Sequence, residues 1–509
     1  MFRQKLSKIE EKRASSGSLP SGPAPYTCAS FFKTQPSGLK PNAKSFEHRF
    51  SDDALNQNVS VLKAAAMFKG RNDMITLGTG RPAAEFYPWS SMTTHGMDKS
   101  CEEGENIVEM SCSAGESAFD LSVALNYGYA GGSPQLLRFV TEHVEMIHDP
   151  PYNDWDACLT CGTTSAIDLC FQILCNRGDC VLSEEYTYSG TIDAAKSRGL
   201  NILGVKMDDQ GLSPEDLDFK LRTWDTARGR KPFVLYTIPT GHNPTGVTQS
   251  VERRHAIYEV AEAHDLLIIE DDPYCFLQLG IDTSKLKSDS DTPSPVDLYL
   301  DQLPVSYLSL DTSGRVVRLD STSKILAPGL RCGWMTACSQ IVAKFMARTE
   351  VSTVAPSGAS QVMLYKLLDE TWGHLGFIQW LRHLSVQYRR RRDVLVEACN
   401  RHLPSACSWI VPAEGMFLWV KVELPRHTIK ESKYFGQEGS LLYSSIEDRI
   451  SAHARENGVL VSKGSWFGVT HAYSSHVHFR MTFAAAPSDT LECAVRRFGD
   501  ALRVVLRIE

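Results

Sequence analysis

A chain of 509 residues with 42% hydrophobic and 22% charged residues has the composition of a globular protein with room for two or three domains. The formal net charge of −7 argues against a general role on nucleic acid or membrane surfaces. No apolar run approaches the roughly 20 residues of a membrane span. The N-terminus, M-F-R-Q-K-L-S-K-I-E-E-K-R, lacks the apolar core of a secretory signal. The 14 cysteines are scattered through apolar segments, as in a reducing compartment, so the expected location is cytoplasmic. The one close pair, Cys158 and Cys161 in C-L-T-C, has no second pair in range and reads as two buried small residues rather than a metal or redox site.

Residues 1–50 are rich in Ser, Pro, Gly and Lys, and are expected to form a flexible arm, mobile or wrapped on a partner subunit. Residues 74–77 are a short apolar run that ends in the turn 78–82, G-T-G-R-P. Residues 125–132, L-N-Y-G-Y-A-G-G, read as a loop before a helix with Ser133 as its N-cap and Pro134 in its first turn. From residue 155 on, strands and helices alternate. Strands are expected at 157–160, 180–182, 202–205, 233–238, 266–269 and 315–319, with helices opening at Gly162 and covering 251–264. Such alternation predicts an α/β fold, a mostly parallel doubly wound sheet with ligands at the carboxyl ends of its strands. Residues 280–300 are polar and read as an excursion. After a long helix over 378–402, strands at 409–411, 416–422, 459–461 and 476–483 and helices at 445–457 and from 488 predict a smaller α+β domain. The expected division is an arm to residue 50, an N-terminal segment at 51–115 contributing to the small domain and the pocket, a large domain at 116–370 and a small domain at 371–509.

The chemistry concentrates where strands end. Residues 320–334 read D-S-T-S-K-I-L-A-P-G-L-R-C-G-W, so Lys324 sits on a turn leaving a strand, with Ser321 and Ser323 beside it and Arg331 following. An amine so placed can form a Schiff base, and two hydroxyls with a guanidinium suit a phosphate monoester. Pyridoxal phosphate is the cofactor this suggests; an ordinary surface loop is the other reading of the same residues. Gly162, Thr163 and Thr164 open a helix whose free N–H groups form a phosphate site or simply a cap. Residues 236–246, Y-T-I-P-T-G-H-N-P-T-G, present the amide of Asn243. In E-D-D-P-Y, Asp271 follows a fully apolar strand, either as a helix cap or as the partner of a buried cation such as a pyridinium, which it would keep protonated.

Taken together, Y-x-x-P-x-x-x-N-P-T-G, E-D-D-P-Y and S-x-S-K-x-x-x-P-G-x-R-x-G-W resemble the fold-type-I pyridoxal-phosphate aminotransferases. Within these the chain is most similar to the aromatic and 2-aminoadipate group of fungal type, over residues 60–509. The resemblance implies an aspartate-aminotransferase-like large domain and a role for each matching residue. Lys324 would be the Schiff-base lysine and the proton-transfer base, Asp271 the partner of the pyridine nitrogen, and Asn243 and Tyr274 the groups on the ring 3-oxygen. Thr163, Thr164, Ser321, Ser323 and Arg331 would form the phosphate cup, and Tyr188 would stack on the ring. Tyr127 would reach the phosphate of a neighbouring subunit, which implies a homodimer. Arg480, in V-H-F-R-M-T-F, would clamp the substrate carboxylate, with Phe417 in the pocket. The implied reaction moves the amino group of an L-amino acid, most simply an aromatic one, to a 2-oxo acid.

The turn at Gly80 and Arg81 departs from the family's G-G-G-L-P. If Arg81 faces the pocket, it would meet the distal carboxylate of an acidic substrate; if it faces solvent, it has no role there. His476 and His478 alternate on one strand face but have no third ligand in sequence, so no metal is expected. A C–S lyase or another reaction at Cα is compatible with the same motifs. A cofactor-binding regulator without turnover would carry a helix-turn-helix domain in front, and residues 1–50 are too short and polar to form one. The sequence leaves open the physiological donor and whether the pathway is housekeeping or secondary metabolism.

Overall fold

The computed structural model describes residues 2–19, 22, 24–35, 38, 40–57, 77–78, 80–98, 106–280, 294–427, 439–469 and 476–508. The run at 74–77, except Leu77, and most of the excursion at 280–300 lie outside them; the described end of the excursion is a short helix, Pro295–Leu300.

A hairpin of β1 (Ser91–Met97) and β2 (Ile107–Ser113) precedes the main sheet. The sheet is built from β3 (Trp155–Thr160), β4 (Cys180–Glu184), β5 (Asn201–Val205), β6 (Val234–Thr237), β7 (Leu267–Asp271), β8 (Val316–Ser321) and β9 (Gly333–Cys338). Its order is β3-β9-β8-β7-β6-β4-β5, parallel throughout except for β9, which runs antiparallel to both neighbours. Sequence patterning ends the series at β8 and misses β9. That strand, G-W-M-T-A-C, is buried along its whole length, so it shows none of the alternation that marks a half-exposed strand. The central strands V-L-Y-T and L-I-I-E-D are buried at every position, as strands covered on both faces are.

Helices begin where side chains cap them. Ser133 accepts from the Leu136 N–H at the start of α2 (Pro134–Ile147), with Pro134 in its first turn, and Ser250 accepts from the Arg253 N–H at the start of α4 (Val251–Ala263). Between them, α3 (Thr163–Leu174) begins at Gly162, which offers no side-chain cap. The smaller sheet is antiparallel, in the order β10 (Cys407–Ser408), β11 (Phe417–Glu423), β13 (His476–Thr482), β12 (Ser462–Lys463). The strand expected at 409–411 is instead two residues earlier, with Ile410 and Val411 half-exposed before Pro412, and the one expected at 459–461 lies at 462–463.

The first segment differs from a mobile arm. Its helix α1 (Phe2–Ser15) buries Phe2 and Ile9, and Phe46 and Phe50 enter the same core farther on. The Arg13 Nε donates to Glu142 at 2.8 Å, and its Nη2 reaches Asp369 at 2.5 Å. The apolar residues of this segment are too far apart to show a period, yet they join the core cluster of the main sheet. The β1–β2 hairpin, expected to join the small domain, packs against Gly358–Tyr365 and the π-helical turn Lys366–Trp372, where Cys112, Phe119, Val362 and Tyr365 form a second cluster.

A buried cation lies among the acids at the centre of the sheet. Arg318 of β8 is fully buried, with Nη1 3.0 Å from Glu270 and 3.1 Å from Asp272, and Nη2 2.8 Å from Asp320. Removing the cation would leave Glu270, Asp272 and Asp320 without the one cation that touches all three, although the Tyr307 and Leu308 N–H groups still donate to Glu270 and the Thr240 hydroxyl to Asp272. Arg318→Met is expected to destabilise the protein by about 3–5 kcal/mol, read as a large fall in the thermal and urea midpoints; an unchanged midpoint would show that the acids are compensated elsewhere.

Candidate active site

The parallel strands all end on one side, and the polar residues predicted from sequence gather there. Lys324 lies in the turn that follows β8, where the Leu326 N–H donates to the Thr322 carbonyl at 2.8 Å. Its amine is half-buried, and burial together with the nearby Arg480 and Arg331 holds its pKa below the usual lysine value, against the pull of Asp271. A lysine shifted this way is more often neutral, as a nucleophile or base must be.

Asp271 closes β7 rather than following it. Its Oδ2 accepts from the Tyr236 hydroxyl at 2.6 Å, and its Oδ1 is buried without a partner. Burial pushes its carboxyl up to about 7. The Tyr236 hydrogen bond opposes that shift, and Asp272, Asp320 and Glu184 add to it. Tyr274 is buried, and its phenol is pushed up by burial and by Asp271, with a hydrogen bond to Asn243 acting the other way.

The Oδ1 of Asn243 accepts from Arg480 Nη1 at 2.6 Å, and Arg480 Nη2 donates to Ser462 at 3.2 Å. The guanidinium lies between two rings, 4.5 Å from the centroid of Phe417 and 4.6 Å from that of Phe467. Among the described residues no carboxylate pairs with it, and its Nε is buried without a partner. A guanidinium held in this state is a site for an anion.

At the other end of the cluster, the Thr163 hydroxyl is buried without a partner at the uncapped start of α3, while Thr164 is exposed. Arg331 has a left-handed backbone (φ 48°) and donates to the Pro328 carbonyl at 3.0 Å. Gly162 (φ 85°) makes room for it, since a Cβ there would lie 2.3 Å from Arg331 Nη2. Ser321 is buried and accepts from the Ser323 N–H at 3.1 Å. Tyr188 is half-buried, with its ring over Gly190. These residues fit pyridoxal phosphate at both ends: open donors and a cation for the phosphate, and a partnerless carboxylate oxygen for the ring nitrogen.

Three expected residues are not drawn into the cluster. Tyr127 is 62% exposed, Gly80 is exposed and Arg81 half-exposed, and no hydrogen bond or ion pair joins Arg81 to another described residue. His476 meets His478 edge-on, and His478 stacks on Trp419 with centroids 4.9 Å apart. Sequence reasoning missed Tyr236, Ser462 and Phe467. Tyr236 stood in the quoted Y-x-x-P motif at a strand end, a usable signal. Ser462 and Phe467 lie in a segment without pattern, and only the fold brings them to Arg480.

The family of class I and II aminotransferases matches residues 104–498, and the chain belongs to it. These are pyridoxal-phosphate-dependent transaminases. The chain is 51% identical over 474 residues to aminotransferase swnA of Arthroderma benhamiae, covering 92% of this chain and 94% of that protein. It is 37% identical to an aromatic amino acid aminotransferase of Schizosaccharomyces pombe, over 90% of this chain and 98% of the relative. The crystal structure of aminotransferase Aro8 from Candida albicans superposes with a TM-score of 0.83 at 34% identity, covering 92% of this chain and all of the other. The fold is that of aspartate aminotransferase.

Gly162→Ala is expected to displace the Arg331 guanidinium and to lower affinity for pyridoxal phosphate by about tenfold or more, the loss of one charge-assisted hydrogen bond. A binding titration of the apoprotein checks this; parent-like affinity would remove Arg331 from the phosphate site.

Proposed function

We propose that this aminotransferase holds pyridoxal phosphate on Lys324 and transfers the amino group of an aromatic L-amino acid to a 2-oxo acid. The observation that carries this reading is Arg480. It is a guanidinium against two rings, without a carboxylate partner among the described residues, bonded to Asn243 and near enough to Lys324 to lower the pKa of that amine. The names of relatives, among them an aromatic amino acid aminotransferase, support the aromatic donor.

In this reading the N-terminus of α3, Thr163, Thr164, Ser321, Ser323 and Arg331 hold the phosphate. Asn243 and Tyr274 would hold the ring oxygen, Tyr188 would pack on the ring, and Asp271 would serve the ring nitrogen. The bound cofactor supplies an electron sink conjugated to the substrate Cα. Arg480 binds the substrate carboxylate bidentately and fixes the Cα–H bond relative to the ring. Lys324 Nζ, as a free amine, would take the Cα proton and serve as the base for the 1,3 proton transfer that transamination requires. Phe417 and Phe467, which flank Arg480, and Tyr274, whose ring meets Phe417 edge-on at 5.5 Å, give the carboxylate clamp an aromatic surround. Tyr127, exposed in one protomer, would complete the phosphate site of a second protomer.

The purified protein is expected to be yellow, and borohydride should fix the cofactor to the peptide that holds Lys324. Labelling at another lysine would overturn the assignment. With aromatic donors and 2-oxoglutarate, the products should be the aromatic oxo acid and glutamate, with ping-pong kinetics; release of ammonia or thiol would show a lyase. Asp271→Asn, which keeps shape but loses charge, should lower turnover by orders of magnitude while cofactor stays bound. Arg480→Lys should lower kcat/KM by about 10- to 100-fold, the value of a bidentate charged contact.

A further inference from the structure

Resting on the reading above, we propose that Tyr236 is the positioning residue that keeps Asp271 ionised and presents one of its oxygens to the ring nitrogen of bound pyridoxal phosphate. Tyr236 is fully buried in β6, opposite Ile269 and one position from the end of the strand pair, on the same face of the sheet as Asp271. Its hydroxyl donates to Oδ2 at 2.6 Å, which fixes the carboxylate plane and leaves Oδ1 as the buried acceptor without a partner.

The other groups around Asp271 make this bond necessary. Asp272 beside it, Asp320 on β8 and Glu184 on β4 are carboxylates that disfavour another negative charge. Lys324 is the facing cation, and Tyr274 is a second phenol that feels the same charge. Burial and the three acids leave Asp271 at about 7, even with Tyr236 pulling it down. A carboxylate that basic competes with a pyridine nitrogen for the proton. A phenol that donates to it lowers its basicity, so the proton stays on the ring, where it is needed to stabilise charge. Tyr236 is therefore assigned a role through Asp271 and touches no reacting atom.

The test uses the holoenzyme of Tyr236→Phe, which removes one oxygen and keeps the buried ring, reconstituted with pyridoxal phosphate carrying nitrogen-15 in the ring. The nitrogen resonance is expected to move from the protonated toward the neutral pyridine position. Turnover should fall about 10- to 100-fold with the donor KM little changed, and the thermal midpoint should stay close to that of the parent. A complementary substitution, 3-fluorotyrosine at position 236, keeps the hydroxyl and makes it a stronger donor. It should move the resonance further toward the protonated side, and it decides the question if the phenylalanine variant does not fold. A resonance that stays at the parent position in both variants, with cofactor still attached to Lys324, would overturn the proposal and leave the functional reading intact. A parent protein that takes up no cofactor would overturn both.

Discussion

The interaction on which the rest depends is the buried contact between Arg318 and the acids of two neighbouring strands. β7 ends in E-D with Asp272 directly after it, β8 ends in D-S, and these five residues are buried. Alternation along a strand sends Glu270, Asp272 and Asp320 to one face, where register sets Glu270 directly beside Arg318. Asp271 is thereby sent to the other face. Without a cation on the reverse side, a strand carrying three successive carboxylates could not lie at the centre of a sheet. The guanidinium lets an acidic sequence reach the sheet's interior, and one of the three acids emerges at the carboxyl edge, where a ligand can use it.

From that edge the remaining geometry follows from strand order. β8 delivers Ser321 and the Lys324 turn, β6 delivers Tyr236 and the loop to Asn243, and β4 delivers the loop to Tyr188. β3 ends at the start of α3, with Gly162 giving way to Arg331. The small sheet contributes Arg480 from β13, facing Asn243 across the junction. The cluster contains three cations and a carboxylate that is only weakly acidic. This is the electrostatic character of a site for a phosphorylated cofactor and a carboxylate-bearing substrate.

Much of this was legible in the sequence, and for stated reasons. Lys324, Asp271, Asn243 and Arg331 are polar residues at the ends of apolar strands, next to Pro and Gly that prevent any continuation, and the structure brings them together. The edges of the reading failed where local pattern carries no information. β9 is uniformly buried, and the strands at 407–408 and 462–463 are two residues long. The N-terminal segment looked too polar to pack because its anchors, Phe2, Ile9, Phe46 and Phe50, are dispersed. Tyr236 was visible as a residue, but its partner lies on the neighbouring strand, and a contact between strands is a property of register, not of spacing along the chain.

The segments around the two sheets also meet through their backbones. At one place Gly241 and Gly415, both at positive φ, pass so closely that a Cβ on Gly241 would lie 2.7 Å from the other Cα. At another the Thr187 N–H donates to the Phe467 carbonyl and the Val469 N–H to the Glu185 carbonyl, each at 2.9 Å. Phe467 packs on Arg480, and Thr187 precedes Tyr188, so the second seam ties the surroundings of Arg480 to those of Tyr188. Main-chain seams do not depend on which side chains line the chamber. The placement of Arg480 relative to Tyr188 is thus held by backbone hydrogen bonds that survive a change of the side chains around them.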